Sequence, residues 1–155
     1  MIKRVKIIAE AGPNHNGKLS MALQLVDVAV EAGADVVKFQ TAKSENLISK
    51  YAPKAEYQEK YTSKDESQLE MGRKLDLDYN AHRKILKYCH QKKIQFLSTP
   101  FDLDSIDMLV RIGLETLKIP SGSITDLPYL RKIGGLNKNI IFKITISIAI
   151  YNVGV

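Results

Sequence analysis

Asp35-Val36-Val37-Lys38-Phe39-Gln40-Thr41 is a β-branched apolar run broken by one lysine and closed by two polar side chains. It reads as a strand, and the lysine is its anomaly. An ammonium among apolar neighbours is costly unless it meets an anionic partner. The pattern returns at Lys118-Ile119-Pro120-Ser121-Gly122-Ser123, where a lysine in the apolar stretch Leu117 to Ile119 runs into a small-residue turn. That turn can offer hydroxyl and backbone N–H donors to the same anion. Two lysines so placed point to a site for a doubly anionic small molecule, and phosphate plus carboxylate fits best.

Outward from these two strands, apolar runs alternate with helical patterns, the signature of βα units and a parallel sheet. Val5 to Ala9 reads as a first strand. Leu19 to Ala32 carries Leu19, Ala22, Leu23, Val26, Ala29 and Val30 at three- and four-residue spacing, and Gly33 closes that helix. A helix is expected over Tyr79 to Lys93, a strand over Ile94 to Ser98, and a helix over Asp102 to Ile112 with Asp102 as its N-cap. Thr116 to Ile119, Leu127 to Ile133 and Asn139 to Lys143 complete the series as strand, short helix and strand. The connection from Thr41 to Tyr79 breaks the rhythm, and a connection that long is usually a functional lid or mobile.

Five β units in series suit either a doubly wound sheet or a (β/α)8 TIM barrel. Polar residues gather at strand C-terminal ends: Glu10 and Asn14, Lys38 and Gln40, Ser98 and Thr99, Lys118 and Ser121. Barrel enzymes build their sites on that face. There is no GxGxxG fingerprint, which weakens a dinucleotide-binding alternative. The α/β fold class expected is therefore a barrel, of which this chain supplies only the first five βα units, since a complete one takes about 250 residues.

The 155 residues bound one ordinary domain with a real core. A hydrophobic content of 45% and a charged content of 26% are those of a soluble globular protein. The net charge of +6 invites a nucleic-acid reading, but the lysines are interleaved with acidic residues rather than gathered in a stripe. No nucleic-acid partner is expected, and no membrane one, since no apolar run reaches about 18 residues. With one cysteine, Cys89, and no signal-peptide pattern, the cytoplasm is the expected compartment.

Each motif also has a plainer reading. Glu10-Ala11-Gly12-Pro13-Asn14-His15-Asn16-Gly17 can orient substrate hydroxyls or shuttle a proton through Glu10, or it can be an Asn/Gly-rich turn with a surface histidine. Lys38 and Lys118 can be lysines snorkelling from strand edges. Phe96-Leu97-Ser98-Thr99-Pro100-Phe101 can be a phosphate contact or only a strand terminator. His82 and His90 lie on a predicted helix, away from the strand ends, and no cluster has metal-ligand spacing.

Taken together these segments resemble the sialic acid synthase (N-acetylneuraminate synthase) family. The resemblance rests on EAGPNHNG at Glu10–Gly17, VKFQT at Val37–Thr41, APKAEYQ at Ala52–Gln58, QLEM at Gln68–Met71, FLSTPFD at Phe96–Asp102 and KIPSG at Lys118–Gly122. It implies a metal-dependent (β/α)8 barrel that acts as a domain-swapped homodimer. The implied reaction condenses phosphoenolpyruvate with N-acetylmannosamine and releases phosphate. It also implies that Lys38, Thr99, Lys118 and Ser121 hold phosphoenolpyruvate, that Glu10 (the catalytic candidate) and Gln40 face the sugar, and that Mn2+ or Mg2+ polarises the aldehyde. A synthase for legionaminic or another nonulosonic acid is the near alternative, and a non-catalytic product that binds such anions is the alternative from another class.

Three departures qualify the resemblance. Ser123 stands where the family usually has Glu. The fifth strand leads into Lys143-Ile144-Thr145-Ile146-Ser147 rather than a Ser-Thr-Gly-Met-like turn. The family's metal-binding histidines lie on later strands, so ligands for a metal are expected beyond residue 155. We expect residues 1–141 to be the N-terminal part of a synthase barrel and 142–155 a divergent apolar tail, such as a shifted reading frame would leave, with turnover lost in this chain alone. The same turn read in another frame of the downstream DNA would support the shift, and its absence there would exclude it.

Overall fold

A computed structural model describes residues 4–55, 58 and 66–142. The expected tail from residue 143 onward, and Tyr57 and Tyr61 of the long connection, lie outside the described residues. The elements run β1 (Ile8–Gly12), α1 (Leu19–Glu31), β2 (Val36–Thr41), α2 (Ser44–Leu47), α3 (Gln68–Arg73), α4 (Tyr79–Lys92), β3 (Gln95–Pro100), α5 (Leu103–Arg111), β4 (Thr116–Ile119), a 3-10 turn (Ser121–Ser123), α6 (Leu127–Gly134) and β5 (Asn139–Phe142).

All five strands are parallel and stand in the order β1-β2-β3-β4-β5. That order separates the two architectures left open by the alternation. A doubly wound sheet reverses direction at a switch point, whereas a barrel adds each strand beside the last. The chain forms the first five strands of a (β/α)8 barrel wall.

The core lies between the sheet's outer face and the helices. Val37, Phe39, Phe96 and Leu117 of the strands pack on Ala22, Val26 and Ala29 of α1, Ile85 and Cys89 of α4 and Leu109 of α5. Phe39 and Phe96 stack at a ring-centroid distance of 5.7 Å. A second cluster joins Ile106, Ile119, Tyr129 and Ile133 under α6. Each fully buried Val, Leu, Ile or Phe among them contributes roughly 1.5–3 kcal/mol. Because strand side chains alternate, filling the outer face with these residues turns Glu10, Lys38, Gln40, Thr99 and Lys118 toward the concave face.

Helix starts follow the side-chain chemistry. Asp78, Asp102 and Asp126 accept from the backbone N–H of Ala81, Ser105 and Tyr129, and Ser67 with Glu70 closes a capping box. Each cap contributes about 1 kcal/mol. Gly33 follows α1 with φ +72°. Cys89 is buried, and burial pushes its thiol up to about 12, so it remains a neutral packing group.

One expectation is corrected here. The first strand is not Val5 to Ala9 but begins at Ile8, which pairs with Val36. Asp35 sets that start, because its carboxylate takes the Ile7 N–H at 2.9 Å and the Arg4 guanidinium at 3.0 Å. Val5 and Ile7 therefore stay exposed. The long connection, which breaks the rhythm of the sequence, contains helices of its own. Its described parts include α2 and α3, which pack together and are held by two carboxylates, Asp102 just beyond β3 and Asp76 within the connection itself. Asp102 takes Lys43 N–H at 2.9 Å and Asn46 Nδ2 at 3.1 Å, while Asp76 takes the Ser44 N–H and hydroxyl at 2.9 and 2.8 Å.

Candidate active site

The C-terminal end of the concave face collects the polar residues that the strand pattern singles out. Glu10 and Lys38 are register partners on β1 and β2, and their side chains form an ion pair. Lys38 is 8% exposed, so its ammonium is the buried charge of the sheet, while the Glu10 carboxylate remains about half in solvent. The β1–β2 register shifts between Glu10 and Gly12, where Gly12 takes φ +53°. A Cβ at Gly12 would lie 3.4 Å from Glu10 Oε1 and 3.6 Å from Gln40 Nε2. The bulge thus lets the Glu10 and Gln40 side chains converge over bare backbone.

Gln40 is the register partner of Thr99 on β3. Thr99 is 1% exposed, and among the described residues its Oγ1 is a buried atom without a hydrogen-bond partner. Leaving such a hydroxyl unsatisfied costs on the order of 1–3 kcal/mol, so its natural complement is an acceptor brought by a ligand. Ser98 pairs with Leu117, which sets Thr99 and Lys118 side by side on the concave face. Ser121 opens the 3-10 turn two residues beyond β4, half-buried at the same end of the sheet.

The two lysines are not equivalent. Lys38 is buried as the apolar run predicts, but Lys118 is only partly buried, because its strand neighbour on the concave side, Ile141 of β5, is itself exposed. The structure therefore brings Glu10, Lys38, Gln40, Thr99 and Lys118 onto one surface with Ser121 at its rim. Ser123 closes the 3-10 turn behind them.

The alternative of a surface His15 is excluded, and the placing of His82 away from the strand ends is overturned. His15 is 2% exposed rather than a surface residue. It folds under its own loop, where its Nδ1 accepts from Gly17 N–H at 3.1 Å, and its ring lies 6.1 Å from that of Phe39. Burial first, and then the neighbouring His82, hold its pKa below the usual imidazole value. His82 does not lie away from the strand ends. It reaches from α4 to Thr41, the last residue of β2, with Nε2 and Thr41 Oγ1 2.9 Å apart. The helix periodicity carried that signal, since His82 shares its buried stripe with Ile85 and Cys89.

Among the described residues no three His, Cys, Asp or Glu side chains gather to hold a metal ion. Among the described residues the concave face offers one carboxylate, Glu10, already paired with an ammonium, and that donor set does not by itself fit a divalent cation. Among the described residues no helix is long and apolar enough to cross a membrane.

Residues 25–148 match the model of the NeuB family. The chain belongs to the NeuB family. Among its NeuB-like relatives, N,N'-diacetyllegionaminic acid synthase of Campylobacter jejuni is 55% identical over 140 residues, which cover 90% of this chain and 42% of the relative. The synthase of the same name from Legionella pneumophila is 48% identical over 125 residues, 81% of this chain and 35% of the relative. Of solved structures, the N-acetylneuraminic acid synthetase of Leptospira borgpetersenii, in complex with citrate, superposes with a TM-score of 0.70 at 29% identity over 89% of this chain and 44% of that one. The chain thus spans about two fifths of the length of these NeuB-family proteins.

Proposed function

We propose that the concave face binds phosphoenolpyruvate for a nonulosonic acid synthase, and that the sugar acid made is of the legionaminic class. The observation that carries the anion site is the buried Lys38 ammonium, paired with the half-exposed Glu10, beside a buried Thr99 hydroxyl that has no partner among the described residues, both on one sheet face. An ammonium and an O–H donor complement a carboxylate and a phosphate, and in a site of low polarity charge-assisted bonds gain strength. Lys118 and Ser121 add a second cation and a further donor at the rim.

N-acetylneuraminate leads the reading from motifs alone, but the relatives at 55% and 48% identity bear the legionaminic name, and they favour a di-N-acetylated amino sugar over N-acetylmannosamine. In the reaction so assigned, C3 of phosphoenolpyruvate forms a bond to the sugar aldehyde carbon. Water adds at C2, and the C2–O bond to phosphate breaks. Lys38, Thr99, Lys118 and Ser121 hold the enol phosphate through that sequence. Glu10 and Gln40, converging at Gly12, face the sugar, where a carboxyl at Glu10 can give a proton to the aldehyde oxygen as that oxygen becomes a hydroxyl. The divalent cation implied by the resemblance has no ligand set among the described residues.

Thermal unfolding of the chain with and without phosphoenolpyruvate tests the reading. Ligand at a hundredfold excess over its Kd adds about 2.7 kcal/mol, which corresponds to a rise in Tm of roughly 5–10 °C for a domain of this size. An unmoved transition at millimolar phosphoenolpyruvate would sink the assignment.

A further inference from the structure

Behind the concave face, on the helix side of the sheet, a buried polar chain links β2, β3 and α4. Ser98 Oγ lies 2.7 Å from Thr41 Oγ1, Thr41 Oγ1 lies 2.9 Å from His82 Nε2, and His82 Nδ1 lies 3.0 Å from the Asp78 carbonyl oxygen. All three side chains are at most 1% exposed. Proton counting leaves one arrangement. A carbonyl oxygen can only accept, so His82 Nδ1 carries the proton. A neutral ring then has a bare Nε2, which accepts from the Thr41 hydroxyl. Thr41 has spent its one proton, so Ser98 donates to Thr41.

These residues adjoin the site. Phe39 pairs with Ser98, Gln40 with Thr99 and Thr41 with Pro100. Thr41 follows Gln40 and Ser98 precedes Thr99, each pair pointing to opposite faces of the sheet. The Thr41 carbonyl is also held, by Phe101 N–H at 3.0 Å. We propose that His82 is a positioning residue for the anion site: through Thr41 and Ser98 its imidazole locks the C-terminal ends of β2 and β3, so that Gln40 and Thr99 keep their register and aim. This inference rests on the phosphoenolpyruvate reading and adds to it a residue that touches no substrate.

The lock needs a neutral ring. Burial pushes the His82 pKa down, more strongly than the Asp78 carbonyl and carboxylate draw it up. Around it stand Thr41 from β2, Ser98 from β3, Asp78 at the start of its own helix and His15 from the β1–α1 loop. Of these, Asp78 supplies the one carboxyl group, and it is engaged by Ala81 N–H at 2.7 Å. Protonation of Nε2 would make Thr41 accept from the ring, and one hydroxyl proton, that of Thr41 or that of Ser98, would then need a new acceptor in a fully buried place. The lock should therefore loosen on acidification.

The test compares phosphoenolpyruvate affinity by calorimetry for the wild-type chain, His82→Leu and His82→Gln between pH 5 and 8, with 15N NMR of the His82 ring. Leu keeps bulk and removes the acceptor, whereas the Gln amide oxygen can still take the Thr41 proton. The expected result is an affinity loss of about tenfold or more for His82→Leu, as misplacement of binding groups produces, and recovery of most of it by His82→Gln. The ratio of wild-type to His82→Gln affinity, from which the ligand's own titration cancels, should fall as pH drops, and NMR should show the Nδ1–H tautomer. A folded His82→Leu chain binding like wild type overturns the proposal, as does a flat ratio across pH or an Nε2–H tautomer. If His82→Leu does not fold, the wild-type to His82→Gln ratio decides. A wild-type chain that fails to bind at any pH overturns the phosphoenolpyruvate reading itself, an outcome distinct from binding that is indifferent to His82.

Discussion

Lys38→Met is expected to abolish the stabilisation by phosphoenolpyruvate while leaving the chain about as stable as before. The two halves of that expectation have separate causes. Lys38 is the buried cation of the concave face, and a phosphate or carboxylate that meets it there forms a charge-assisted bond in a site of low polarity. Removing it should weaken binding by about a hundredfold, near 3 kcal/mol, in line with charge-assisted hydrogen bonds. Folding should change little: removing one partner of an ion pair is costly when it strands a buried charge, and here the charge left behind is not buried. Its partner Glu10 is half-exposed and can be hydrated once the ammonium has gone. Lys118→Met should cost less affinity, since Lys118 is only partly buried. Titration of the three chains with phosphoenolpyruvate checks the ranking. A Lys38→Met chain that binds as the wild type does would remove the anion site from this face, and a Lys38→Met chain that does not fold would make the ion pair a requirement of the sheet instead.

The sequence was legible where one residue's chemistry answers to one local rule. Alternation of apolar runs with helical stripes gives the five βα units, because period 2 and period 3.6 are set within a few neighbours. Asp102 could be named as an N-cap from the helix behind it, and it caps Ser105 as named. The polar residues at strand ends were visible too, and strand alternation carries Lys38, Gln40, Thr99 and Lys118 to one face once the outer face is filled. What stayed hidden depends on partners far along the chain. The start of β1 is set by Asp35, 28 positions beyond the Ile7 N–H that it takes. His82 meets Thr41 across 41 positions, and only its place in the stripe with Ile85 and Cys89 hinted at burial. His15 looked like a loop-tip residue because nothing local shows that the loop folds back over Phe39. The unequal burial of Lys38 and Lys118 is likewise a matter of which strands flank them.

Gly17→Ala should be the most destabilising single-methyl change in the β1–α1 loop, and a second glycine isolates the reason. Gly17 has φ +71°, and a Cβ there would stand 1.9 Å from the Lys74 carbonyl oxygen. That oxygen is backbone, in the residue that ends α3, so the contact is relieved only by moving the loop that carries Glu10 and His15 or the segment that leads into α4. Gly33 has nearly the same backbone angle, φ +72°, and nothing within 4 Å of its Cβ position. Gly33→Ala therefore bears only the left-handed strain, about 1–2 kcal/mol. Gly17→Ala bears that strain plus the collision, roughly 3–5 kcal/mol together, or a fall in Tm of about 10 °C or more. Urea or thermal denaturation of the two variants measures the difference directly. Equal losses would mean that the loop and the Lys74 carbonyl are not in contact in solution. A larger loss at Gly17, joined by weaker phosphoenolpyruvate binding in whatever fraction stays folded, would tie the loop's close approach to the aim of Glu10, because the same backbone segment carries both.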